Sequence, residues 1–419
     1  MMTKEENDLL TQTGPGTLCG ELMRRYWQPA ALSEELPADG APMPLKLLGE
    51  DLVLFRDDEG RPGLLGLHCS HRGADLSYGR VENGGLRCIY HGWLYDIRGR
   101  VIDMPGEANG GAGSRDSICH LAYTCQEQAG VIFAYMGPGE PPLLPGYEFL
   151  RAPEEQRFVS KYFQGCNYLQ GNEGNIDPVH ASFLHHPNQN LQDTEYRQFR
   201  GGRGVAPEIE IVDAEVTDFG VRVCRSCPVG PDKKDLRIWN FVLPNVTTFP
   251  GGPQGREGYS VHWHVPIDDT HHWKYHLTFS REKSLDKEKL KRGRPKLAPG
   301  YKLIQNATNR YMQDRESMKT QSFSGVPDFP SQDTCVVEGE GPIQDRTQEH
   351  LVSSDKVIVA ARKLLLRAIK DVQESREPPH VIRESKLNRF PNMLIWYGVV
   401  PSSLDWKEHC RQLEAELKV

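Results

Sequence analysis

Two short stretches of the sequence each place one cysteine near one histidine. One residue separates Cys69 from His71. After sixteen intervening residues comes Cys88, which two residues separate from His91. A zinc ion would take all four ligands itself, and zinc fingers typically pair cysteine with cysteine and histidine with histidine. One thiolate and one imidazole per loop instead suit two adjacent irons, one held by both cysteines and one by both histidines. A zinc knuckle and four coincidentally buried side chains are the alternatives.

A second candidate metal site follows further along the chain. Asp177 and His180 are three residues apart and share one face of a helix. His180 and His185 would lie about 140° apart on an ideal helix, at about 100° per residue. Both can therefore reach one metal only if the helix bends or ends between them. His186 is the alternative to His185.

The elements that must position these residues fall into two groups. Short strand-like runs separated by turns from about 45 to 135 predict a small all-β sandwich. The glycine and proline cluster from Gly137 to Gly146 predicts a boundary, with domains at 1–145 and 146–419. Helical patterns over 166–185, 301–319 and 354–375, with strands over 205–280 between them, predict an α+β second domain. We expect its sheet to be antiparallel and flanked by helices. The basic run 287–296 is typical of a solvated loop.

Length and charge exclude several classes of protein. A chain of 419 residues is longer than a single hydrophobic core usually supports, so two domains are expected. A net charge of −7 argues against nucleic acid as a partner. The sequence has no signal-peptide pattern and no run of eighteen apolar residues, so we expect a cytoplasmic protein without a membrane anchor. Without a secretion signal, the ten cysteines are expected to be thiols or metal ligands, not disulfides.

Both metal-site segments resemble those of a known enzyme family. CSHRGADL and CIYHGWLYD resemble the Rieske motif of aromatic-ring oxygenases, and IDPVHASFLHH is similar to the Asp-x2-His-x4-His segment that holds their mononuclear iron. The resemblance implies an N-terminal all-β Rieske domain with a [2Fe–2S] cluster on Cys69, His71, Cys88 and His91. It also implies Fe(II) bound by His180 and His185 in the second domain. Asp177 would be the bridging aspartate, which hydrogen-bonds an iron-ligand histidine and connects to the Rieske histidine of a neighbouring subunit.

A facial triad of two histidines and one carboxylate needs a third ligand from elsewhere in the chain. The segment GPIQDRTQEHL and the residues after it resemble the C-terminal signature of the phthalate dioxygenase branch. That branch places the ligand in a Ser-x-Asp-x-x-Val stretch that opens the last long helix, which implies Asp355, with Asp345 as the alternative. An acidic residue in the first turn of a helix also stabilises the helix dipole without any metal.

The resemblance implies the terminal oxygenase of a multicomponent system. Its reaction would be the O2-dependent hydroxylation, commonly dihydroxylation, of an aromatic carboxylate such as a phthalate or substituted benzoate. The sequence shows no dinucleotide fingerprint, so NAD(P)H would act only through a separate flavin and iron–sulfur reductase. A homotrimer or a dimer of trimers is implied. Arg203, Arg237 and Arg256 are candidates to bind the substrate carboxylate.

Two other functions fit parts of the pattern. One is an O-demethylating monooxygenase of methoxylated aromatic acids, which would use the same metal ligands. The other is a Rieske electron-transfer protein whose second domain is only structural, which requires the second histidine cluster to be accidental.

Overall fold

The computed structural model describes residues 2–185, 211–250, 258–390 and 393–417. The predictions made at His186, Arg203 and Arg256 lie outside these residues. Within them, no helix is both long enough and apolar enough to cross a lipid bilayer.

The N-terminal part is built from short antiparallel strands. Two helices come first, α1 (Lys4–Thr11) and α2 (Leu18–Arg24). The strands that follow are β1 (Gln28–Leu32), β2 (Met43–Leu47), β3 (Glu50–Arg56), β4 (Pro62–Gly66), β5 (Arg80–Glu82), β6 (Gly85–Arg87), β7 (Leu94–Asp96), β8 (Val101–Asp103), β9 (Ala122–Gln128) and β10 (Val131–Tyr135). They form a six-stranded sheet in the order β1-β10-β9-β4-β3-β2 and a four-stranded sheet in the order β5-β6-β7-β8. Buried side chains that include Phe55, Leu65 and Tyr95 form a separate small core here, so the predicted all-β fold is confirmed.

The remainder of the chain is a large antiparallel sheet with helices. Its helices are α3 (Glu148–Arg151), α4 (Tyr168–Ile176), α5 (His180–Phe183), α6 (Lys287–Arg292), α7 (Ser317–Thr320), α8 (Phe329–Gly339), α9 (Lys356–Gln373) and α10 (Trp406–Leu417). Its strands are β11 (Arg157–Gln164), β12 (Ile211–Val216), β13 (Gly220–Pro228), β14 (Lys233–Val242), β15 (Val246–Pro250), β16 (Gly258–Asp268), β17 (His271–Ser280), β18 (Leu297–Ala298), β19 (Lys302–Leu303) and β20 (Trp396–Pro401). The main sheet runs β11-β17-β16-β15-β14-β13-β12, and β20 pairs with β14. The predicted α+β architecture is confirmed.

Strand β16 shows how this sheet separates its core from its polar face. Val261 and Trp263 are buried in the main apolar core, because alternate residues of a strand point to opposite faces. His262 and His264 therefore lie on the other face, where both contact the side chain of Asn175 on α4. The polar face of the sheet thus lies beneath the helix that precedes the second metal segment.

The region predicted as a helix over 301–319 is different. It contains β19, a short 3-10 segment at Ala307–Met312 and the four-residue α7. Arg310, Tyr311 and Met312 have φ angles of 53°, 54° and 51°, and residues with side chains do not sustain a helix in that left-handed region. The helix predicted at 354–375 is confirmed as α9, which buries Leu365 and Ile369 against the main core.

Candidate metal centres

The two cysteine–histidine loops have the same backbone geometry. Cys69 N–H donates to Ala74 O at 2.8 Å and Gly73 N–H donates to Cys69 O at 2.8 Å. In the second loop Cys88 N–H donates to Trp93 O at 2.8 Å, and a glycine four residues after the cysteine again donates to the cysteine carbonyl, at 3.0 Å. Both glycines have positive φ, 73° and 79°, a conformation that costs glycine little.

These matching loops place two thiols inside and two imidazoles outside. Cys69 and Cys88 are 3% and 2% exposed. The rings of His71 and His91 are 4.4 Å apart, and the first stacks on Trp93 at 4.6 Å. Burial raises the pKa of the Cys88 thiol, and the neighbouring Cys69 adds to the effect. A metal ion deprotonates the thiols that coordinate it, so these residues fit an iron–sulfur cluster with imidazoles on its outer side.

The helix is interrupted in the segment that carries Asp177, His180 and His185, as a metal site shared by the two histidines requires. Helix α4 ends at Ile176, and Asp177 is extended, with φ −71° and ψ 117°, as is common before a proline. Helix α5 then begins at His180 and ends at Phe183, two residues before His185. The rings of His180 and His185 lie 5.3 Å apart. The condition set by the helical geometry is therefore met.

His180, His185 and Asp333 converge on one point. Among the described residues, this group is the one set of three or more metal-ligating side chains with ligand atoms within 4.8 Å of one another. Asp333, on α8, has its Oδ1 2.9 Å from His185 Nε2 and 3.7 Å from His180 Nε2. The cluster is largely buried, and His185 also stacks on Phe329 at 3.6 Å.

The hydrogen bonds of the two histidines show that a cation fits between them. His180 Nδ1 lies 2.7 Å from the carbonyl oxygen of Asp177, and His185 Nδ1 lies 2.7 Å from Gln332 Oε1. Both partners are acceptors, so each Nδ1 carries the proton and each Nε2 presents a lone pair. Those Nε2 atoms face the carboxylate of Asp333, whose Oδ1 lies 2.9 Å from His185 Nε2 and 3.7 Å from His180 Nε2. Acceptors that face one another in a buried site need a positive ion.

The electrostatics of His180 and Asp333 favour the protonation states that metal coordination needs. Burial lowers the pKa of His180, which keeps it neutral. Burial opposes ionisation of Asp333, but His185 and Lys274 outweigh it and lower the pKa of that carboxyl. Lys274 Nζ lies 3.8 Å from Asp333 Oδ2. A neutral His180 imidazole and an ionised Asp333 carboxylate are the protonation states in which these two groups bind Fe(II).

The expectation that Asp355 is the third ligand is corrected. Asp355 ends a 3-10 turn before α9, and its Oδ2 accepts the N–H of Val352 at 2.7 Å. It is therefore a capping residue at a helix start, outside the His180–His185–Asp333 group. The alternative Asp345 also caps a turn, through Thr347. The stated pattern in fact fits Ser331-x-Asp333-x-x-Val336 in full, whereas the stretch that starts at 353 has isoleucine in its last position.

Asp177 lies between the iron-site histidine and the surface. Its Oδ1 accepts the N–H of Val179 at 2.8 Å, and its Oδ2 lies 3.9 Å from His180 Nδ1. Its side chain keeps 26% of its accessible surface. Burial raises the pKa of this carboxyl, and Asp355 nearby adds to the effect. Asp177 thus lies next to a candidate metal ligand and keeps part of its carboxyl side chain accessible to solvent.

Of the three predicted substrate arginines, the described part of the chain contains Arg237. It lies on β14 opposite Arg225 of β13. Both contact Asp235 Oδ2, at 3.2 and 3.5 Å. Arg225 also has a nitrogen 3.5 Å from the hydroxyl of Ser182, on α5 between the two iron-site histidines. Arg225 was not predicted; its cross-strand position opposite Arg237 depends on a register that the sequence does not show.

Comparison with known proteins supports a Rieske domain followed by a catalytic domain. Residues 26–122 match the Rieske [2Fe-2S] domain, and residues 134–418 match the family described as LigXa C-terminal domain like. The chain is 33% identical to the phthalate 4,5-dioxygenase oxygenase subunit of Pseudomonas putida, over 98% of this chain and 95% of that protein. It is 32% identical to the 5,5'-dehydrodivanillate O-demethylase oxygenase subunit of a Sphingobium species, over 93% of this chain and 85% of that protein. The terminal oxygenase of carbazole 1,9a-dioxygenase from Nocardioides aromaticivorans has the same fold, with a TM-score of 0.60 at 19% identity, over 87% of this chain and 100% of that one.

A Rieske-type loop pair joined to a histidine–histidine–aspartate site defines an oxidoreductase that combines an electron-accepting cluster with an iron centre. The chain belongs to the Rieske non-haem iron oxygenases, as an oxygenase subunit of the phthalate dioxygenase-like branch. Members of this family carry one [2Fe–2S] cluster and one mononuclear iron per subunit, which confirms the cofactors predicted from the sequence.

Proposed function

We propose that this protein hydroxylates an aromatic carboxylate, such as a phthalate or substituted benzoate, with electrons delivered by a separate reductase. The observation that carries the proposal is the set of buried lone pairs on His180 and His185 that face Asp333. A second domain that was only structural would have no reason to bury such a group. Relatives that act on phthalate and on 3-chlorobenzoate, each 33% identical over nearly the whole chain, support an aromatic acid as the substrate.

In this proposal each metal group has its own ligands. Cys69, His71, Cys88 and His91 hold the cluster, and His180, His185 and Asp333 hold the mononuclear iron. When bound, that iron supplies the open coordination positions at which O2 and electrons meet the substrate. Gln332 and the Asp177 carbonyl fix the two ligand rings through their Nδ1 protons, which sets the tautomer that coordination needs.

The substrate carboxylate is assigned to the two arginines beside α5. Arg225 and Arg237 are largely buried, with side chains 15% and 12% exposed. Guanidinium groups bind carboxylates through paired hydrogen bonds. Because Ser182 lies between the two iron-site histidines and next to Arg225, a carboxylate held there would place its ring beside the iron.

Electron entry is assigned to the exposed side of the Rieske loops. Two apolar side chains of the second loop are exposed there, Ile89 and Tyr90, by 61% and 57%, and the ring of Tyr90 lies 3.8 Å from that of His91. An apolar patch around exposed imidazoles suits a protein contact. We assign it to a neighbouring copy of the chain, whose Asp177 would meet His71 or His91 in a homotrimer or a dimer of trimers. A flavin and iron–sulfur reductase would supply electrons from NAD(P)H; in the carbazole system the solved oxygenase is bound to a ferredoxin.

Matched substitutions test the iron site. The Asp333→Asn variant should lose the mononuclear iron and fall from three irons per chain to two, while its Rieske absorption spectrum stays unchanged. Asp355→Asn should keep all three irons and its oxygenase activity. If Asp355→Asn lost the third iron and Asp333→Asn retained it, the assignment would be wrong.

Product analysis tests the reaction. With a compatible reductase, we expect O2 uptake with phthalates, chlorobenzoates or methoxybenzoates. An O-demethylase remains the second candidate because of the dehydrodivanillate relative. Hydroxylation would give a diol that retains every carbon of the substrate, whereas demethylation would release formaldehyde. If no aromatic acid stimulated O2 uptake, the proposed substrate class would be wrong.

A further inference from the structure

The first Rieske loop is tied to a buried histidine outside the proposed ligand set. In this loop Ser70 lies between Cys69 and His71. The hydroxyl oxygen of Ser70 is 2.7 Å from His120 Nδ1. On the other side of the ring, His120 Nε2 lies 2.9 Å from the carbonyl oxygen of Gly66, the last residue of β4. His120 is 4% exposed, so one buried imidazole joins the first loop to the six-stranded sheet.

The two contacts of His120 fix the position of its ring proton. The Gly66 carbonyl can only accept a hydrogen bond, so His120 Nε2 carries the proton. Burial lowers the pKa of His120, which keeps the ring neutral. The other nitrogen, Nδ1, is then an acceptor, and the Ser70 hydroxyl donates to it. The hydroxyl of Ser70 therefore points into the domain, although the loop itself is exposed.

His120 is itself held from two further directions. Its backbone N–H donates to the Gly99 carbonyl at 2.9 Å, in the turn between β7 and β8. Its ring packs at 4.6 Å against the ring of Tyr95, whose hydroxyl lies 3.0 Å from Cys69 Sγ. The two rings thus support adjacent residues of the loop, Tyr95 at the cysteine sulfur and His120 at the hydroxyl of Ser70. Because the imidazole is already fixed, it loses little conformational entropy when it accepts this hydrogen bond.

The second Rieske loop is anchored in a different way. Ile89 occupies the position that corresponds to the serine, is 61% exposed, and has no hydroxyl to donate. Arg87 holds this loop, because its guanidinium donates to the Gly92 carbonyl and, at 2.8 Å, to Asp103 Oδ2. Two loops with matching backbones are therefore anchored by different side chains. The imidazole contact of the first loop is thus not a consequence of the loop conformation alone.

We propose that His120 is a positioning residue for the Rieske cluster and acts through the hydroxyl of Ser70. The inference rests on the proposed ligand set, in which Cys69 binds one iron and His71 binds the other. Ser70 joins these two ligands, so a hydrogen bond from its side chain to a fixed ring limits how far the thiolate and the imidazole can move apart. Contacts that orient metal ligands from outside commonly change metal affinity by about 10–100-fold when they are removed.

The rate of cluster release tests this role in the full-length holoprotein. The loss of visible absorption after addition of an iron chelator gives that rate. Ser70→Ala, a change in the exposed loop, should release the cluster about 3–10-fold faster than the wild type, the effect of one hydrogen bond. His120→Leu should release it at least as fast, and the double variant no faster than His120→Leu, because both changes break the same contact.

Two further variants show whether the hydrogen bond itself matters. His120→Gln should recover part of the wild-type rate, since an amide can accept from Ser70 and donate to Gly66 at the same time. Ser117→Ala removes an exposed hydroxyl of the same domain, which donates to a carbonyl within its own turn. This control should release the cluster at the wild-type rate.

Electron paramagnetic resonance of the reduced cluster separates a positioning role from a general loss of stability. Ser70→Ala and His120→Leu should both shift the g values, because the ligands move relative to the irons, and Ser117→Ala should leave them unchanged. Wild-type g values in the first two variants, or release rates that multiply in the double variant, would overturn the inference. So would a His120→Gln protein that releases its cluster as fast as His120→Leu. A wild type whose cluster shows no histidine ligation would refute the proposed ligands themselves, and the inference with them.

Discussion

Replacing Glu173 by glutamine should loosen the helix that leads into the iron site. Glu173 lies in the last turn of α4, is 7% exposed, and its carbonyl accepts the N–H of Asp177 at 3.0 Å. Its Oε2 accepts two hydrogen bonds from Arg346, at 2.8 and 3.1 Å, and its Oε1 accepts one from Arg362 at 2.5 Å. One carboxylate thus joins α4 to the C-terminal part of the chain.

The free-energy cost of Glu173→Gln depends on which hydrogen-bond partners Arg346 and Arg362 retain. The side chain of Arg346 is fully buried, and without Glu173 its partners among the described residues are uncharged oxygens of Asn7 and Gln344. Breaking a buried ion pair from one side costs about 3–5 kcal/mol. The matched control is Glu349→Gln, because Glu349 holds Arg362 from its more exposed side, with 14% of its own side chain accessible. That change leaves both arginines on Glu173 and should cost about 1–3 kcal/mol.

Hydrogen exchange measured by mass spectrometry on peptides that cover 168–176 would give the local opening free energy of α4. A global unfolding curve is less suitable, since a chain of this size need not unfold in one step. Burial opposes ionisation of Glu173, but Arg346 and Arg362 outweigh it and lower its pKa below the ordinary 4.5. The stabilisation is therefore complete above pH 4.5 and is lost only as the pH falls through the lowered pKa. Equal protection of α4 in the wild type and in Glu173→Gln at pH 7 would refute the reasoning.

Three further predictions concern single contacts. The Tyr95 hydroxyl lies 3.0 Å from Cys69 Sγ and would donate to that sulfur when it is a cluster-bound thiolate. Tyr95→Phe should therefore lower the cluster potential by about 40–60 mV, measured by redox titration; an unchanged potential would contradict this role. A Cβ added to Gly171 would clash with Nδ1 of the buried His264. Gly171→Ala should therefore lower the opening free energy of α4 by about 1–3 kcal/mol in the same exchange measurement. An unchanged opening free energy would show that the helix can shift to accommodate the methyl group. Burial lowers the pKa of His380 to about 3, so the wild type should lose stability as the pH falls from 6.5 towards 3, and His380→Gln should reduce that slope by up to about 1.4 kcal/mol per pH unit. Thermal midpoints at several pH values would show it, and parallel curves for the two proteins would exclude it.

The Rieske half of the site could be predicted because its chemistry is local. Each loop contains its own thiolate and imidazole, and the glycine that lets the loop turn is four residues after the cysteine. The need for a break in the helix could be predicted for the same reason. His180 and His185 are five residues apart, and a continuous helix would point their side chains in different directions. Spacing within one loop or one helix turn survives folding unchanged.

The proposed third iron ligand could not be placed by local rules. Asp333 is about 150 residues from His185 in sequence, and α8 brings it there through contacts with α4 that include Gln170 Nε2 donating to Val337 O. The environment of Arg294 could not be predicted for the same reason. The composition of 287–296 predicted a solvated segment, but the Arg294 side chain hydrogen-bonds to His276 on β17. In each case the partner that decides the outcome comes from a distant part of the chain.

The break after α4 sets the positions of both Asp177 and His180. In a continuous helix the carbonyl of Asp177 would accept a backbone N–H four residues later. Because Pro178 follows and the helix restarts at His180, that carbonyl instead accepts the His180 Nδ1 proton, and the Asp177 side chain keeps contact with the surface. Glu173, one turn earlier, ties the same helix to two buried arginines. Asp177 and His180, the proposed bridging residue and iron ligand, are thus held by one short anchored segment, so movement of that segment would displace both residues together.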